Sequence, residues 1–158
     1  MIARRVLPRH ASPTAAFAAA FAAAIALAVS GCSITPVTDV TDQQARDRFI
    51  ALVDAAEDAA GGTWEVQDDP SQRECTIPLW VPGTRISALR TGPAPHSDVA
   101  DVTARMEAHF EEAGLTVTVS DIGDVVEVRG ESVAGELLLF RVSETAMTLS
   151  GESECRPA

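Results

Sequence analysis

The chain has 158 residues, 46% of them hydrophobic, and 23 acidic residues against 12 basic ones give it a formal net charge of −11. This acidity excludes nucleic acid as a partner and opposes a charge-based contact with anionic lipid headgroups. The length suits a single domain with one modest core.

The first element along the chain is an apolar segment with a positively charged start. Arg4, Arg5 and Arg9 precede an alanine-rich apolar stretch over residues 15–29. As a helix this stretch would measure about 22 Å, which is shorter than the ~30 Å hydrocarbon core of a bilayer. The pattern therefore predicts a cleaved export signal rather than a permanent transmembrane helix. The paired arginines fit export by the twin-arginine route, but the residues around them match the recognition pattern of that route poorly. The sequence therefore favours export by the Sec route.

The end of this segment, Val29, Ser30, Gly31 and Cys32, resembles the lipobox of bacterial lipoproteins. The resemblance implies that the Cys32 thiol is diacylated, that residues 1–31 are then removed, and that the protein is lipid-anchored on the extracytoplasmic face of the cell membrane. The alternative is an ordinary secretory signal with a chance cysteine. Cleavage would leave nine arginines against 23 acidic residues, a formal charge of −14.

Residues 32–40 form a predicted tether, and residues 41–158 a single predicted domain. Fully extended, the tether would reach about 30 Å, enough to clear the lipid headgroups. The anchor and its short tether therefore predict that the domain acts close to the membrane.

Once Cys32 is modified, Cys75 and Cys155 remain as an even pair in an oxidising compartment, where a disulfide is expected. Each cysteine shares a strand face with apolar residues, Cys75 with Ile77 and Cys155 with Leu149, so both are predicted to point inward. The bond would close a loop of roughly 80 residues and contribute about 4 kcal/mol in the chain-entropy description. Two buried free thiols are the alternative.

Two helices are predicted in the domain. Thr41 and Gln44 have capping-box spacing at the start of the first, and Gly61 follows its end. Ser97 is the predicted cap of the second, which Gly114 ends. The apolar stripes are Phe49, Leu52, Val53, Ala56 and Ala60 on the first helix, and Val99, Val102, Met106, Phe110 and Ala113 on the second.

The remaining segments alternate in hydrophobicity as strands do. Predicted strands cover 63–67, 73–81 with Pro78 at an edge or bulge, 84–91, 115–120, a stretch through Val126 and Val128, 137–142, and a last one ending near Cys155. Turns are predicted at 68–71, 82–83 and 122–124. The 137–142 strand is apolar on both faces, which indicates a central strand covered by helices. Together these elements predict an α+β fold with two helices on one face of a mainly antiparallel sheet.

A weak internal similarity suggests duplication of a helix-plus-hairpin unit. Residues at 60–68 recur at an offset of 53, at 113–121, each time where a helix leads into a strand. The alternative is that helix exits favour Gly and strands favour Thr and Val in any protein.

No catalytic, metal or cofactor site is predicted. His96 and His109 are the only histidines after the signal, and two cannot supply a three-histidine zinc site. The helical carboxylate pairs, Asp54 with Asp58 and Glu107 with Glu111, are typical of solvated helix faces. Trp80 is the candidate binding contact if it is exposed, and core packing is the alternative.

The predicted function is a noncatalytic binding or scaffolding module of the cell envelope, bound to the membrane by a diacylglyceryl group on Cys32 and to an unidentified envelope protein or ligand. One alternative is a ligand-binding accessory of a membrane complex, with an apolar pocket between helices and sheet. Another is an envelope glycan hydrolase that uses two facing carboxylates.

The mature part, with its closing segment 151–155, also resembles the small actinobacterial lipoproteins of uncharacterised function of the LppA-like type. That resemblance implies no known activity.

Overall fold

A computed structural model of the protein describes residues 40–158. The predicted signal peptide, the lipobox and the tether up to residue 39 lie outside the described residues. No helix within residues 40–158 has the length and apolar character needed to cross a membrane.

The two predicted helices are present, α1 over Asp42–Ala60 and α2 over Val99–Glu112. At the start of α1, Thr41 and Gln44 form the predicted capping box, in which the backbone N–H of Gln44 donates to Thr41 Oγ1 at 3.2 Å. Gly61 ends α1 with φ of 77°. Ser97 does not cap α2: Asp98 occupies the cap position without a side-chain bond, and Ser97 Oγ instead accepts from Arg105 at 3.2 Å.

The strands form one antiparallel sheet in the order β1-β3-β7-β6-β5-β4, with β2 and β8 also paired to β3. This confirms the α+β prediction. The strands are β1 Glu65–Val66, β2 Asp69–Ile77, β3 Val81–Gly92, β4 Thr116–Ile122, β5 Val125–Glu131, β6 Leu137–Val142, β7 Met147–Glu152 and β8 Arg156–Pro157. Each helix leads into an antiparallel hairpin at an opposite edge of the sheet, β2–β3 after α1 and β4–β5 after α2. Duplication of the unit stays a prediction.

The turn between β2 and β3 differs from the sequence prediction. The pairing of Ile77 with Val81 places the turn at residues 78–80, whereas Pro82 and Gly83, predicted to turn, lie inside β3. Gly83 is needed there for close approach, because a Cβ on it would lie 2.5 Å from the Arg156 carbonyl oxygen. The glycine thus marks a tight strand contact rather than a bend.

Both helices cover the same face of the sheet and bury the core against it. Every fully buried large side chain of the described residues belongs to this layer: Phe49, Val53, Val102, Met106, Phe110, Val128, Leu138, Phe140, Val142, Met147 and Leu149. Helices cover β6 on one face only, because its register turns Leu137 and Leu139 to the other face, where they are half-buried.

Candidate functional site at the hairpin tip

The β2–β3 hairpin ends in an exposed apolar tip, residues 78–82, which we call the hairpin tip. Leu79 is 89% exposed and Trp80 is 91% exposed, and Val81 is exposed at 42%. Trp80, the binding contact predicted from the sequence, is therefore solvent-exposed rather than packed in the core. β2 ends at Ile77, so the inward-facing alternation of Cys75 and Ile77 does not continue to Leu79.

The backbone of the hairpin tip is strained. Leu79 has φ of 72° and Trp80 has φ of 62°, and they are the only non-glycine residues with positive φ among residues 40–158. The left-handed conformation costs about 1–2 kcal/mol for each such residue, and surrounding structure must hold it. Two large apolar side chains are thus displayed at an energetic cost, and this kind of strain clusters at binding sites.

The hairpin tip is the apolar end of a longer uncharged stretch. Residues 75–84 contain no charged side chain, in a chain where 22% of the residues are charged. The flanking charges are Glu74 on one side and Arg85 on the other, and Arg85 is ion-paired with Glu152. Large exposed apolar groups without neighbouring charges are typical of a surface that another molecule covers.

A disulfide fixes the base of the hairpin. Cys75 and Cys155, the pair predicted from the sequence, are bonded, with their Cα atoms 6.0 Å apart. Cys75 pairs in register with Gly83, and a Cβ on Gly83 would lie 2.8 Å from the Cys155 sulfur. The bond therefore joins the hairpin to the C-terminal segment five residues from the exposed tryptophan.

The start of α1 lies at the same end of the sheet as the hairpin tip. Arg156, which pairs with Thr84 in the β3–β8 ladder, donates to Asp42 at 2.8 Å, to Glu154 at 2.6 Å and to the carbonyl of Val40. The hydrogen bonds that Arg156 donates to Asp42 and Glu154 raise its pKa. The first described residue is thereby held beside the base of the hairpin.

A cluster of charged side chains lies around Arg90, on the face of the sheet that the helices cover. This side chain is 3% exposed and forms ion pairs with Glu57, with Asp68 and, at 3.3 Å, with Asp54. Sequence reasoning missed it, although the alternation of β3 places position 90 on the same inward face as Ile86 and Ala88. The three carboxylates surround the buried guanidinium with opposite charge, so the cluster ties α1 to β3.

Two recesses in the surface of residues 40–158 have a mainly polar lining or a wide opening. One of about 100 Å³ is lined by Asp42, Gln43, Ala45, Arg46, Gln72, Thr84, Arg85, Ile86, Ser153, Glu154 and Arg156. An open one of about 580 Å³ is lined by Thr63, Trp64, Glu65, Thr91, Gly92, Pro93 and His96. The space between helices and sheet is filled by the core side chains, and Trp64, half-buried, donates to the Gly61 carbonyl at 3.0 Å.

The other predicted candidates are not brought together into a site. His96 lines the open recess, and His109 packs beside Phe110 with the ring centroids 6.3 Å apart. Within residues 40–158 no group of three or more His, Cys, Asp or Glu side chains is arranged to hold a metal ion.

Burial, with a smaller contribution from Glu154, raises the pKa of Glu136.

Neither protein-family models nor curated proteins match the chain. Among solved structures, it is similar to a DUF4853 family protein from Actinomyces odontolyticus, at 18% sequence identity and a TM-score of 0.56. The similarity covers 75% of this chain and 70% of that one. At this identity the similarity shows a shared fold.

Proposed function

We propose that the protein is a noncatalytic binding module of the cell envelope, anchored to the extracytoplasmic face of the membrane by a diacylglyceryl group on Cys32. The hairpin tip is its contact surface. The observation that carries the proposal is the exposure of Leu79 and Trp80 on a strained turn. Aromatic side chains of this kind dominate the energetics of binding surfaces.

The construction of the hairpin supports the same proposal. The Cys75–Cys155 disulfide holds its base, so the tip is preorganised and loses less conformational entropy on binding than a free loop would. The predicted lipid anchor keeps the domain at the membrane without a basic patch, which suits a chain of formal charge −14 after cleavage.

The proposal is tested by site-specific photo-crosslinking in intact cells, with the full chain. A photoreactive residue replaces Leu79 at the hairpin tip or, as the matched control, Ile122, which is 52% exposed beside the β4–β5 turn. We expect covalent adducts, with protein or with lipid, from the Leu79 position and none from the Ile122 position. Equal labelling at both positions, or none at Leu79, would contradict the proposal.

A further inference from the structure

We propose that the occupant of the hairpin tip is the lipid bilayer itself, and that the tip inserts into the headgroup region of the membrane that carries the anchor. This inference rests on the proposed function. It gives the domain two membrane attachments, the lipid on Cys32 and the side chains of Leu79, Trp80 and Val81.

The first support is the position of Val40, where the described part of the chain begins. The Arg156 contacts to Asp42 and Val40 place the start of the described chain beside Thr84, at the base of the hairpin. From Thr84 to Val81 the strand extends about 10 Å, at roughly 3.3 Å per residue, and Trp80 follows in the turn. The eight residue-to-residue steps from Cys32 to Val40 reach at most about 29 Å. A tether of that length lets the tip touch the surface in which the lipid is embedded.

The second support is the direction of the other elements. α1 runs from the hairpin base towards the far end of the sheet, where Gly62 lies near Pro93 and Met147. The far end carries the β4–β5 turn, flanked by Asp121 and Asp124. The uncharged tip and the anchored N-terminus thus share one end of the domain, and that end is the one that faces the bilayer.

The third support is the chemistry of the tip. Tryptophan prefers the membrane–water interface, where its ring is buried and its N–H stays hydrogen-bonded. Leu79 and Val81 add apolar surface, and residues 75–84 bring no charge that would have to be desolvated. Turn backbone groups need water or headgroup partners, which limits insertion to about 5–10 Å, the depth of an interfacial anchor.

Insertion has a consequence for the rest of the domain. With the tip and the anchored N-terminus both at the bilayer, α1 and the long strand β3 stand along the membrane normal. The helices leave one face of the sheet uncovered, the face with Leu89, Leu137 and Leu139. In this orientation that face is perpendicular to the membrane surface.

Fluorescence of the lipidated protein tests the inference. The chain has two tryptophans, so Trp64→Phe leaves Trp80 as the only one. The protein is reconstituted into phosphatidylethanolamine and phosphatidylglycerol vesicles with or without brominated acyl chains. We expect Trp80 emission to shift to the blue, to be quenched by the bromines, and to be protected from acrylamide.

The matched control combines Trp64→Phe and Trp80→Phe with Ile122→Trp, which puts the single tryptophan at the far end. It should be quenched by acrylamide and not by bromine. If Trp64→Phe impairs folding, the difference between wild type and Trp80→Phe reports the same signal with Trp64 intact. Trp80 emission that stays water-exposed and insensitive to bromine overturns the inference.

The two proposals fail separately. Protein adducts at Leu79 in cells, together with a water-exposed Trp80 in vesicles, would leave the binding function standing with a protein as the occupant. No adduct at Leu79 would remove both proposals.

Discussion

Arg90 joins α1 to the sheet through the ion pairs of its buried guanidinium. Its side chain is 3% exposed on the core-facing side of the sheet, and its ion pairs reach α1 and the segment between β1 and β2. A buried cation is stable only while its partners remain, and carboxylates left behind without it are equally unfavourable. The residue thus fixes the register between helix and sheet.

Arg90→Ala should lower the free energy of unfolding by about 3 kcal/mol, because Glu57 and Asp68 lose their counter-charge and a cavity is left. Arg141→Ala is the control, since Arg141 is half-exposed and its pair with Glu127 should contribute less than about 1 kcal/mol. Urea unfolding of the mature protein measures both. Equal costs for the two variants would refute the structural role given to Arg90.

Glu136 makes stability depend on pH. Burial raises its pKa in the folded protein, so the folded state binds a proton more tightly than the unfolded chain does. The stabilisation by protonated Glu136 is complete at low pH and is lost as the pH rises through the folded-state pKa. Glu136→Gln, which keeps the uncharged form, should therefore increase stability at neutral pH and leave it unchanged well below the ordinary glutamate value of 4.5. Thermal unfolding at both pH values measures this, and a loss of stability at neutral pH would contradict it.

Among the helices, strands and turns, the sequence correctly predicted those that are marked by signals in neighbouring residues. The capping box at Thr41 and the glycine after α1 mark the helix bounds correctly, and the 137–142 strand is observed as Leu137–Val142. The predicted position of the β2–β3 turn was wrong because Pro82 and Gly83 carry a turn signal. The observed turn uses Leu79 and Trp80, residue types that rarely adopt positive φ. Gly83 instead makes a long-range contact with the C-terminal segment, which no local pattern shows.

The disulfide should be the main stabiliser of the hairpin. Its cysteines are separated by 80 residues, so replacing both with alanine should cost about 4 kcal/mol of stability. The hairpin tip should also become protease-sensitive before the rest of the domain. Alkylation of denatured, nonreduced mature protein provides the direct test: no free thiol is expected from Cys75 and Cys155, and two alkylatable thiols would refute the bond.

Gly151 in β7 lets α1 approach the sheet closely. A Cβ at this position would lie 2.6 Å from Leu138 Cδ2, 2.9 Å from the Leu137 carbonyl oxygen and 3.2 Å from the Phe49 ring. Gly151→Ala should therefore lower stability by about 1–3 kcal/mol through overpacking. Gly92→Ala is a milder comparison, because its nearest neighbours are Trp64 ring atoms at 3.1 Å. An unchanged free energy of urea unfolding for Gly151→Ala would show that α1 can shift without a loss of stability.

At the scale of the whole molecule, composition and periodicity were enough to predict one α+β domain with both helices on one face. They also selected Trp80 as the candidate contact, although its exposure depended on where β2 ends. The Arg90 cluster and the position of Val40 at the hairpin-tip end of the sheet were beyond the sequence, because both arise from pairings between segments far apart in the chain. The proposed insertion of the hairpin tip into the bilayer depends on that position.

Both proposals require that a lipid on Cys32 holds the domain at the membrane. Acyl-chain labelling of cells that express the wild-type chain or Cys32→Ala tests it most directly. We predict a labelled wild-type protein shortened by residues 1–31, and a Cys32→Ala variant that takes up no label and keeps residues 1–31. Equal labelling of the wild type and the variant would contradict lipidation at Cys32.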